Sequence, residues 1–481
     1  MTDISLTVAL PLLAAFIVPL LHNGPLRWLG ALAGPIVLAL CAALLLGQWS
    51  TYSEPFSVVI GGFSPEVGIV FYVDRLALLF AAAVPLMSLL LWPGEQDEQS
   101  ARRQSLTLLL AAALTGLALS GDLFNVYVFY ELAAVSSYGL IAGSGGQARF
   151  LAGFRYLMVS ALGSVVALLG ISLIYFKTGT LNLATLATLS DELAGPEGLA
   201  AFAMLLIGFG VKAELFPVNG WVPEVYAATG KRVAALLAGL ASKLAVLIIV
   251  RILVLMFDAE EARQLMLVLG IIGVISGELA AWQARDMARM LAWSSIGQLG
   301  VVFIAFSLPG EAGIIAGVAV ALHHLVVKSA LFMLADRWGG SIAGLRGAAT
   351  VSALGAGLFV LFALSLLGLP PLPGFWSKYL VLGGLASIGG TLHYLAMAVV
   401  LTGTVIEGAY LLRVITTLYA KPDTDRRPAP HTAAGLLSTA LLAITLVAAA
   451  ILIDPLWQTL DALAAQAADL TTYTSTVLGR Q

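Results

Sequence analysis

The chain has 481 residues, of which 60% are hydrophobic and only 11% are charged, and its formal net charge at pH 7 is −3. Soluble domains carry about 25% charged residues, so this composition excludes a soluble globular protein. The near-zero net charge gives no indication of a nucleic-acid partner. The single cysteine, Cys41, lies in an apolar run and can form no internal disulfide.

Apolar runs long enough to cross a bilayer recur from one end of the chain to the other, and they predict an all-α polytopic membrane protein with about fourteen transmembrane helices. The run 4–21 has no basic segment before it, so we interpret it as a first membrane helix and not as a cleaved signal. The spans are predicted at 3–21, 28–47, 73–92, 105–120, 122–142, 150–176, 199–228, 233–256, 265–282, 290–307, 311–334, 349–388, 391–419 and 433–453.

The stretch between the second and third spans has β-branched residues on both sides of Gly61 and Gly62 and contains no Lys or Arg. This pattern predicts a hairpin outside the membrane.

Two predicted spans, 199–228 and 349–388, are longer than one crossing needs, and both contain clusters of helix-breaking residues. Interrupted helices in two corresponding halves are typical of ion sites in transporters built from inverted repeats. Lys212 precedes the first break and Lys378 follows the second, although proline kinks without function remain the alternative. The breaking residues are Pro217, Gly220 and Pro223 in the first span and Pro370, Pro371 and Pro373 in the second.

This pattern predicts four regions along the chain. Residues 1–104 hold the N-terminal helices with the external hairpin, and 105–256 form the first inverted repeat. Residues 257–419 form the second inverted repeat, and 420–481 hold the last helix and a short C-terminal tail.

The distribution of Lys and Arg in the loops predicts the orientation. If the N-terminus lies outside, most loop cations lie inside, and the outer side holds only Lys177, Arg263 and Arg480. The positive-inside rule therefore predicts a multi-pass protein of a prokaryotic cell (inner) membrane with both termini outside.

Several ionisable residues lie within the predicted spans. Each costs about 2.5–3.5 kcal/mol to insert, so such residues normally face a wet or paired interior and mark function. Static ion pairs or snorkelling ends are the alternative, and we favour that alternative for Arg75 and Arg251. The residues in question are Glu131, Lys212, Lys243, Glu278, Lys328, Lys378 and Glu407.

Two adjacent histidines add a possible relay to this set. His324 and Lys328 are spaced i, i+4 and share a helix face, whereas His323 is turned away by about 100°. Neutral imidazole both accepts and donates a proton, so His324 beside Lys328 indicates a proton relay. His323 is also predicted to belong to the proton path through a different neighbour, although for a lone buried histidine a hydrogen-bonded packing role is the more common interpretation.

In its motifs, the chain resembles the antiporter-like subunits shared by Mrp-type multisubunit cation/proton antiporters, respiratory complex I and membrane-bound hydrogenases. Individually the matching motifs are modest, but together they follow one another in order on the right spans. They are "YVDRLALLF", "GDLFNVYVFYELAAVSSYGLI", "VKAELFP", "WVPEVY", "ALLAGLASK", "RDMARMLAWSSIGQLG", "HHLVVKSALF" and "GLPPLPGFWSK".

The resemblance implies a fold of fourteen helices with two inverted five-helix repeats, each containing a broken helix, and it implies residue roles. Glu131 would be the charge partner of Lys212, and Lys243, His324 and Lys328 would continue a polar axis along the membrane midplane.

Lys378 would be the terminal proton carrier of that axis. Asp74 and Arg155 would be accessory. Glu278 and Glu407, which are charged residues within predicted spans, and Glu214 are also expected to be accessory. Glu214 is a further acid in the first broken span, where it departs from the family pattern. It lies on a different helix face from Lys212, so it is a poor intrahelical partner.

Within the family, the D-type subunit of an Mrp-like antiporter is the closest match, with protons and, as an open question, Na⁺ as the transported ions. A proton-pumping subunit of a redox complex is the first alternative. A non-conducting scaffold or a partner of inorganic-carbon uptake is the second. The expected partners are other hydrophobic antiporter-like and small membrane subunits in the lipid bilayer.

The sequence has no Gly-rich phosphate loop, no Cys-x-x-Cys pair and no nucleophile elbow. We therefore expect no cofactor bound by this chain and no catalytic or metal site of its own. Whether it belongs to a redox-driven enzyme complex stays open.

Overall fold

The computed structural model describes residues 4–22, 27–94, 100–143, 145–422 and 433–479. Its elements are almost all helical. In chain order they are α1 (Leu6–His22), α2 (Arg27–Thr51), β1 (Phe56–Ile60), β2 (Ile69–Val73), α3 (Arg75–Leu90), α4 (Ser100–Leu119), α5 (Leu123–Ala142), α6 (Gln147–Thr178), α7 (Leu183–Thr188), α8 (Pro196–Gly210), α9 (Val222–Ala228), α10 (Lys231–Ala235), α11 (Ser242–Met256), α12 (Glu260–Gln283), α13 (Met287–Phe306), α14 (Gly310–Arg337), α15 (Ala348–Val351), α16 (Ala353–Leu367), α17 (Pro373–Ile388), α18 (Thr391–Tyr419), α19 (Ala433–Ile451), α20 (Ile453–Ala468) and α21 (Leu470–Leu478).

Three short irregular helical segments complete the list. They are the 3₁₀ turns Ser190–Leu193 and Ile342–Leu345, and a π-helix at Leu236–Ala241 that joins α10 to α11.

Within the described ranges, seven helices are long and apolar enough to cross a membrane, or eight if the bent pair α19 and α20 is counted as one span. Four shorter apolar helices accompany them: Leu6–Leu21, Arg75–Leu90, Pro196–Gly210 and Ala353–Leu367. The chain is therefore a helical multi-pass membrane protein, and the total of fourteen crossings stays a prediction.

The contacts divide the chain into two compact units. The first unit comprises Met1–Ala213, Leu240–Arg263 and Ala462–Gln481, and the second comprises Glu214–Gly239 and Gln264–Asp461. The four regions predicted from the sequence stay a prediction.

In the first unit, the strands β1 and β2 pair antiparallel from Phe56 opposite Val73 to Ile60 opposite Ile69, which is the hairpin that the sequence predicts. The turn uses Gly61 and Gly62, both at positive φ, where glycine carries no steric cost. The hairpin contacts α21, since Ser57 Oγ donates to the Thr476 carbonyl at 2.9 Å.

Helices α6 and α8 of the first unit pack closely because glycines lie at their contact. A Cβ atom on Gly208 would lie 2.6 Å from the Gly163 carbonyl oxygen and 2.6 Å from Ala167 Cβ. Small residues allow such backbone approach between membrane helices. This packing brings Lys212, one turn beyond Gly208, beside the α6 helix.

The second unit has a similar close contact between α12 and α13. A Cβ atom on Gly300 would lie 2.7 Å from the Gly270 carbonyl oxygen, and one on Gly277 would lie 2.4 Å from the Gly297 amide nitrogen. The next residue after Gly277 is Glu278, so this contact holds an acidic side chain directly against α13.

Both long spans predicted from the sequence are interrupted. In the first, α8 ends at Gly210 and α9 begins at Val222, with Pro223 in its first turn, where a missing amide hydrogen costs nothing. In the second, α16 ends at Leu367, Gly368 adopts the left-handed conformation with φ 76°, and α17 begins at Pro373.

The end of the chain differs from the sequence prediction. The residues beyond 453, expected to be a short tail, form two further helices, α20 and α21. The chain bends by 86° between α19 and α20. A hydropathy pattern does not reveal these helices, because α20 is amphipathic and α21 is short. Their average hydropathy is therefore similar to that of a loop.

Helix α6 has 32 residues. At 1.5 Å per residue it rises about 48 Å, which is more than the thickness of a bilayer, so we expect its two ends to lie on opposite sides of the membrane. In a Cys41→Ala background, Lys177→Cys should react with an impermeant thiol reagent added outside intact cells. Gln147→Cys should react only in inverted vesicles. Outside labelling of Gln147→Cys but not Lys177→Cys would reverse the predicted orientation.

Candidate functional site

The four lysines that the sequence places in spans are all buried. Their exposed fractions are 3% for Lys212, 0% for Lys243, 0% for Lys328 and 9% for Lys378. A buried ammonium group must be compensated by acceptors or opposite charge. The site is therefore defined by what each lysine contacts.

Lys212 lies just after the end of α8, where the helix breaks. Its Nζ lies 3.4 Å from the centroid of the Tyr130 ring and donates to Ser160 Oγ at 3.3 Å. Tyr130 is itself held in place, since its hydroxyl donates to the Gly208 carbonyl at 2.9 Å. The electron-rich ring face and the serine hydroxyl together stabilise the ammonium group.

Glu131 follows Tyr130 on α5, and its carboxylate accepts a hydrogen bond from Ser164 Oγ. Ser160 and Ser164 are one turn apart on α6 and share a helix face. Lys212 thus contacts the first of these serines, and Glu131 contacts the second. Two hydroxyl groups of α6 thus bind the two charged groups, and the role of Glu131 as charge partner of Lys212 stays a prediction.

The structure explains the position of Glu214. This residue has a positive φ of 57°, which is unusual outside glycine, and its side chain is 1% exposed. The Tyr226 hydroxyl of α9 donates to Glu214 Oε1 at 2.7 Å. Glu214 therefore holds the chain beyond the break against the next helix, a contact that spacing along one helix could not predict.

Lys243 lies in α11, directly after the π-helix, and its Nζ donates to Ser242 Oγ at 3.0 Å. In the second unit, the π-helix residue Gly239 lies against Ser329 of α14, because a Cβ there would come within 1.9 Å of Ser329 Oγ. Ser329 Oγ donates to the Ala235 carbonyl at 3.3 Å. The hydroxyl thus occupies the space that a side chain at Gly239 would fill.

In the second unit, Lys328 of α14 begins a chain of hydrogen bonds. Its Nζ donates to Ser294 Oγ at 2.5 Å, and Ser294 Oγ lies 2.7 Å from the Tyr410 hydroxyl. The Tyr410 hydroxyl donates to Glu278 Oε2 at 2.9 Å. Three helices besides α14 contribute, since Ser294 lies on α13, Tyr410 on α18 and Glu278 on α12.

Lys378 of α17 forms the second cluster of this unit. Its Nζ donates to Glu407 Oε2 and to Thr404 Oγ1, both at 3.0 Å. Gln298 Nε2 also donates to both oxygens of Glu407, at 2.9 and 3.0 Å. Glu407 is 0% exposed and Lys378 is 9% exposed, so this is a buried ion pair in which an amide also binds the carboxylate.

Both histidines contact serines in the second unit. His323 Nε2 lies 2.8 Å from Ser365 Oγ, and His324 Nε2 lies 3.4 Å from Ser295 Oγ. His324 and Lys328 contact the neighbouring residues Ser295 and Ser294. This agrees with their shared face on α14.

Asp74 and Arg251 form a buried ion pair in the first unit. Arg251 Nη2 lies 2.9 Å from Asp74 Oδ1, and the side chains are 5% and 2% exposed. Asp74 also caps α3 by accepting from the Ala77 amide at 2.7 Å. The Tyr72 and Tyr473 rings flank the guanidinium group. The preference for a static ion pair at Arg251 therefore fits its contacts.

Two other predicted residues lie apart from these clusters. Arg75 donates from Nη1 to the Trp49 carbonyl at 3.1 Å and stacks on the Trp49 ring. Arg155 is exposed on α6. An accessory role for Arg155 stays a prediction.

The neutral members of the site were not predicted from the sequence. Serines and tyrosines are frequent in membrane helices and add little to hydropathy, so no pattern singles them out. The only available signal is the i, i+4 spacing of Ser160 with Ser164, and it gains meaning once the opposite helix is known. The missed residues are Tyr130, Ser160, Ser164, Ser294, Ser295, Gln298, Ser365, Thr404 and Tyr410.

Across the described residues, no group of three or more His, Cys, Asp and Glu side chains could hold a metal ion. Buried lysines, carboxylates and hydroxyl groups inside apolar helices define a multi-pass membrane protein with titratable groups in its interior.

The family described as NADH:quinone oxidoreductase/Mrp antiporter, TM, matches residues 120–406. The chain therefore belongs to this family, and the resemblance noted in its motifs is confirmed.

Two relatives and one solved structure show how the similarity is distributed. The N subunit of the NADH-quinone oxidoreductase of Desulforudis audaxviator is 32% identical over 408 residues, covering 81% of this chain and 80% of that protein. The D subunit of the Na(+)/H(+) antiporter of Bacillus subtilis is 30% identical over 407 residues, covering 80% and 81%. A chain of the membrane-bound sulfane sulfur reductase, an archaeal respiratory membrane complex, superposes with a TM-score of 0.91 at 29% identity, covering 99% of both chains.

We expect Asp74→Asn to destabilise the protein by about 3–5 kcal/mol, because it leaves the Arg251 charge buried without its partner while keeping the oxygen that caps α3. Thermal unfolding in detergent measures this loss. Adding Arg251→Met should recover part of it.

Arg263→Ala is the matched control, since Arg263 pairs with Asp258, which is 52% exposed. Breaking that surface pair should cost at most about 1 kcal/mol. Equal losses from Asp74→Asn and Arg263→Ala would contradict a structural role for the buried pair.

Proposed function

We propose that this chain is the proton-translocating membrane subunit of a multisubunit cation/proton antiporter, of the D type. The observation that carries the proposal is the set of four buried lysines, each bonded to a hydroxyl or carboxyl group that can pass on a proton. Each lysine costs about 2.5–3.5 kcal/mol to insert, and packing alone gives no reason to retain four of them.

In this proposal protons move along a chain of Lys, Glu and His side chains near the membrane midplane. Glu131 and Lys212 work through the hydroxyl groups of Ser164 and Ser160. Lys243 and His324 continue the chain, Lys328 extends it, and Lys378 is its terminal carrier. A hydroxyl group between two charged groups serves this purpose because it both donates and accepts.

The breaks in the two long spans support the same function. An interrupted helix frees backbone groups that must bind water or protein within the bilayer, so it occurs where a site or cavity needs them. Lys212 and Lys378 each lie within a few residues of a break. We propose that the two breaks belong to two inverted five-helix repeats in a fold of fourteen transmembrane helices.

The proposed setting is a prokaryotic cell membrane, with both termini outside, in a complex with other antiporter-like and small hydrophobic subunits. Similarity to the D subunit of a bacterial antiporter supports this setting. The chain itself would bind no cofactor, and its cargo would be protons exchanged against a cation such as Na⁺.

A proton-pumping subunit of a redox-driven complex is the second candidate. It is favoured by the similarity to an NADH-quinone oxidoreductase subunit and to a chain of an archaeal respiratory complex. In that case the same lysines would move protons, and electron transfer in partner subunits would supply the energy. A scaffold that conducts no protons is a weaker alternative, because it does not explain why four costly lysines are buried in the membrane.

We expect Lys212→Ala in the assembled complex to abolish proton movement and to leave assembly intact, because the variant removes the amine without adding bulk. Proton movement is measured with a pH-sensitive dye in inverted vesicles. Lys177→Ala is the control, since Lys177 pairs with the exposed Glu197 at the end of α6. Transport at the wild-type rate in Lys212→Ala would refute the proposed function.

The two candidates are separated by their energy source. An antiporter should collapse an imposed pH gradient when Na⁺ or another cation is added, without any electron donor. A redox pump should build a gradient only when its electron donor and acceptor are supplied. A cation-independent, donor-dependent response would replace the first candidate with the second.

A further inference from the structure

Glu278 is in an unusual place for a membrane carboxyl group. Its side chain is 2% exposed, and it lines a groove of about 240 Å³ between α12 and α18. Apolar residues such as Ile275, Leu279 and Ile406 form most of the remaining wall. Within the second unit, the Glu278 side chain thus lines the α12/α18 groove, and its carboxyl group bonds into the interior through the Tyr410 hydroxyl.

The approach of α18 to α12 at this point depends on Gly403. A Cβ atom there would lie 2.9 Å from Val274 Cγ1 and 3.4 Å from Glu278 Cγ. Because Gly403 has no side chain, the two helices can approach each other closely beside Glu278. On the same helix, Glu407 lies about one turn after Gly403 and Tyr410 about two turns after it. Helix α18 therefore contributes residues both to the groove and to the buried interior.

On the interior side, hydrogen bonds link Glu278 to Lys328 without a gap. The steps are 2.9 Å from Glu278 Oε2 to the Tyr410 hydroxyl, 2.7 Å from that hydroxyl to Ser294 Oγ, and 2.5 Å from Ser294 Oγ to Lys328 Nζ. All four side chains are buried. Hydroxyl groups in series conduct a proton because each donates one hydrogen as it accepts another.

We infer that Glu278, Tyr410 and Ser294 form a proton branch that connects Lys328 to the α12/α18 groove, separate from the ion pair of Lys378 with Glu407. This inference rests on the proposed function as a proton translocator. It gives Glu278 a carrier role and makes Tyr410 and Ser294 relay residues.

The transfer balances in protons. With Lys328 charged and Glu278 ionised, Lys328 donates a proton to Ser294 Oγ, Ser294 passes its own hydrogen to Tyr410 Oη, and Tyr410 passes its hydrogen to Glu278. Lys328 ends as a neutral amine and Glu278 as a neutral acid. Both hydroxyl groups keep one hydrogen each, with reversed orientation, so reorientation or the reverse transfer resets the branch.

The arrangement of Glu407 separates the two clusters. Both oxygens of Glu407 accept from Gln298, and one also accepts from Lys378. The Tyr410 hydroxyl instead contacts Ser294 and Glu278. Removing that hydroxyl therefore breaks the branch and leaves the Lys378 ion pair in place.

The test is proton movement by the assembled complex in inverted vesicles, measured with a pH-sensitive dye for Tyr410→Phe, Glu278→Gln and the double variant. Tyr410→Phe keeps the buried ring and removes one oxygen atom. We expect each single variant to slow proton movement by about a hundredfold, the lower end of the range for a lost acid–base group. The double variant should be no slower than either single variant, because both changes interrupt one path.

Tyr419→Phe on the same helix is the matched control, since Tyr419 is 58% exposed, and it should retain the wild-type rate. If Tyr410→Phe does not assemble, Ser294→Ala tests the other hydroxyl of the relay with the same expectation.

Three outcomes are decisive. Wild-type rates in Tyr410→Phe and Glu278→Gln, with Lys212→Ala inactive, would overturn the branch and keep the proposed function. Multiplied losses in the double variant would show two independent roles and would also overturn the branch. A wild-type rate in Lys212→Ala would instead refute the proposed function on which the branch rests.

Discussion

A lysine ammonium group buried among apolar helices has to find acceptors within the protein, because the bilayer offers none. Four lysines of this chain meet that requirement, and each meets it differently. Lys212 uses an aromatic face and a serine, Lys243 a serine on its own helix, and Lys328 a serine on a neighbouring helix. Lys378 contacts a carboxylate directly.

Lys378 combines a direct ion pair to Glu407 with a hydrogen bond to the Thr404 hydroxyl. The contacts of the other buried charges divide them into two kinds. Asp74 with Arg251 is a direct ion pair that also caps a helix, so its geometry favours stability over exchange. Glu131, Lys212, Lys328 and Glu278 instead reach hydroxyl groups. A hydroxyl group compensates a charge and can also pass a proton, so the second kind suits transport.

Close helix packing is the condition that puts these hydroxyl groups in reach. Gly163 and Gly208 bring α8 against α6 near Lys212, and Gly277 with Gly297 brings α12 against α13 near Glu278. Larger residues at these contacts would separate the helices by more than a hydrogen bond can span. Some of the 49 glycines of the chain thus lie at the helix contacts where buried charges find their partners.

The sequence by itself determined the class of protein, the positions of most spans and the charged members of the site. The span predicted at 122–142 is observed as Leu123–Ala142, and the one at 391–419 as Thr391–Tyr419. Hydropathy succeeds there because a bilayer imposes both length and composition on a crossing helix. A charged residue inside such a run is conspicuous, so Lys212, Lys328 and Lys378 could be selected without any structure.

The tertiary structure alone decided what those charges contact. Tyr410 and Ser294 are separated by 116 residues, and Lys212 and Ser160 by 52. Serine and tyrosine are nearly neutral in hydropathy, so nothing in the sequence marks the few that face a lysine. The partner of Glu214 was equally hidden, because Tyr226 reaches it only after the helix has broken and the chain has turned. Contacts between helices depend on which helix faces pack against each other, and this packing cannot be predicted from the residue pattern of a single sequence.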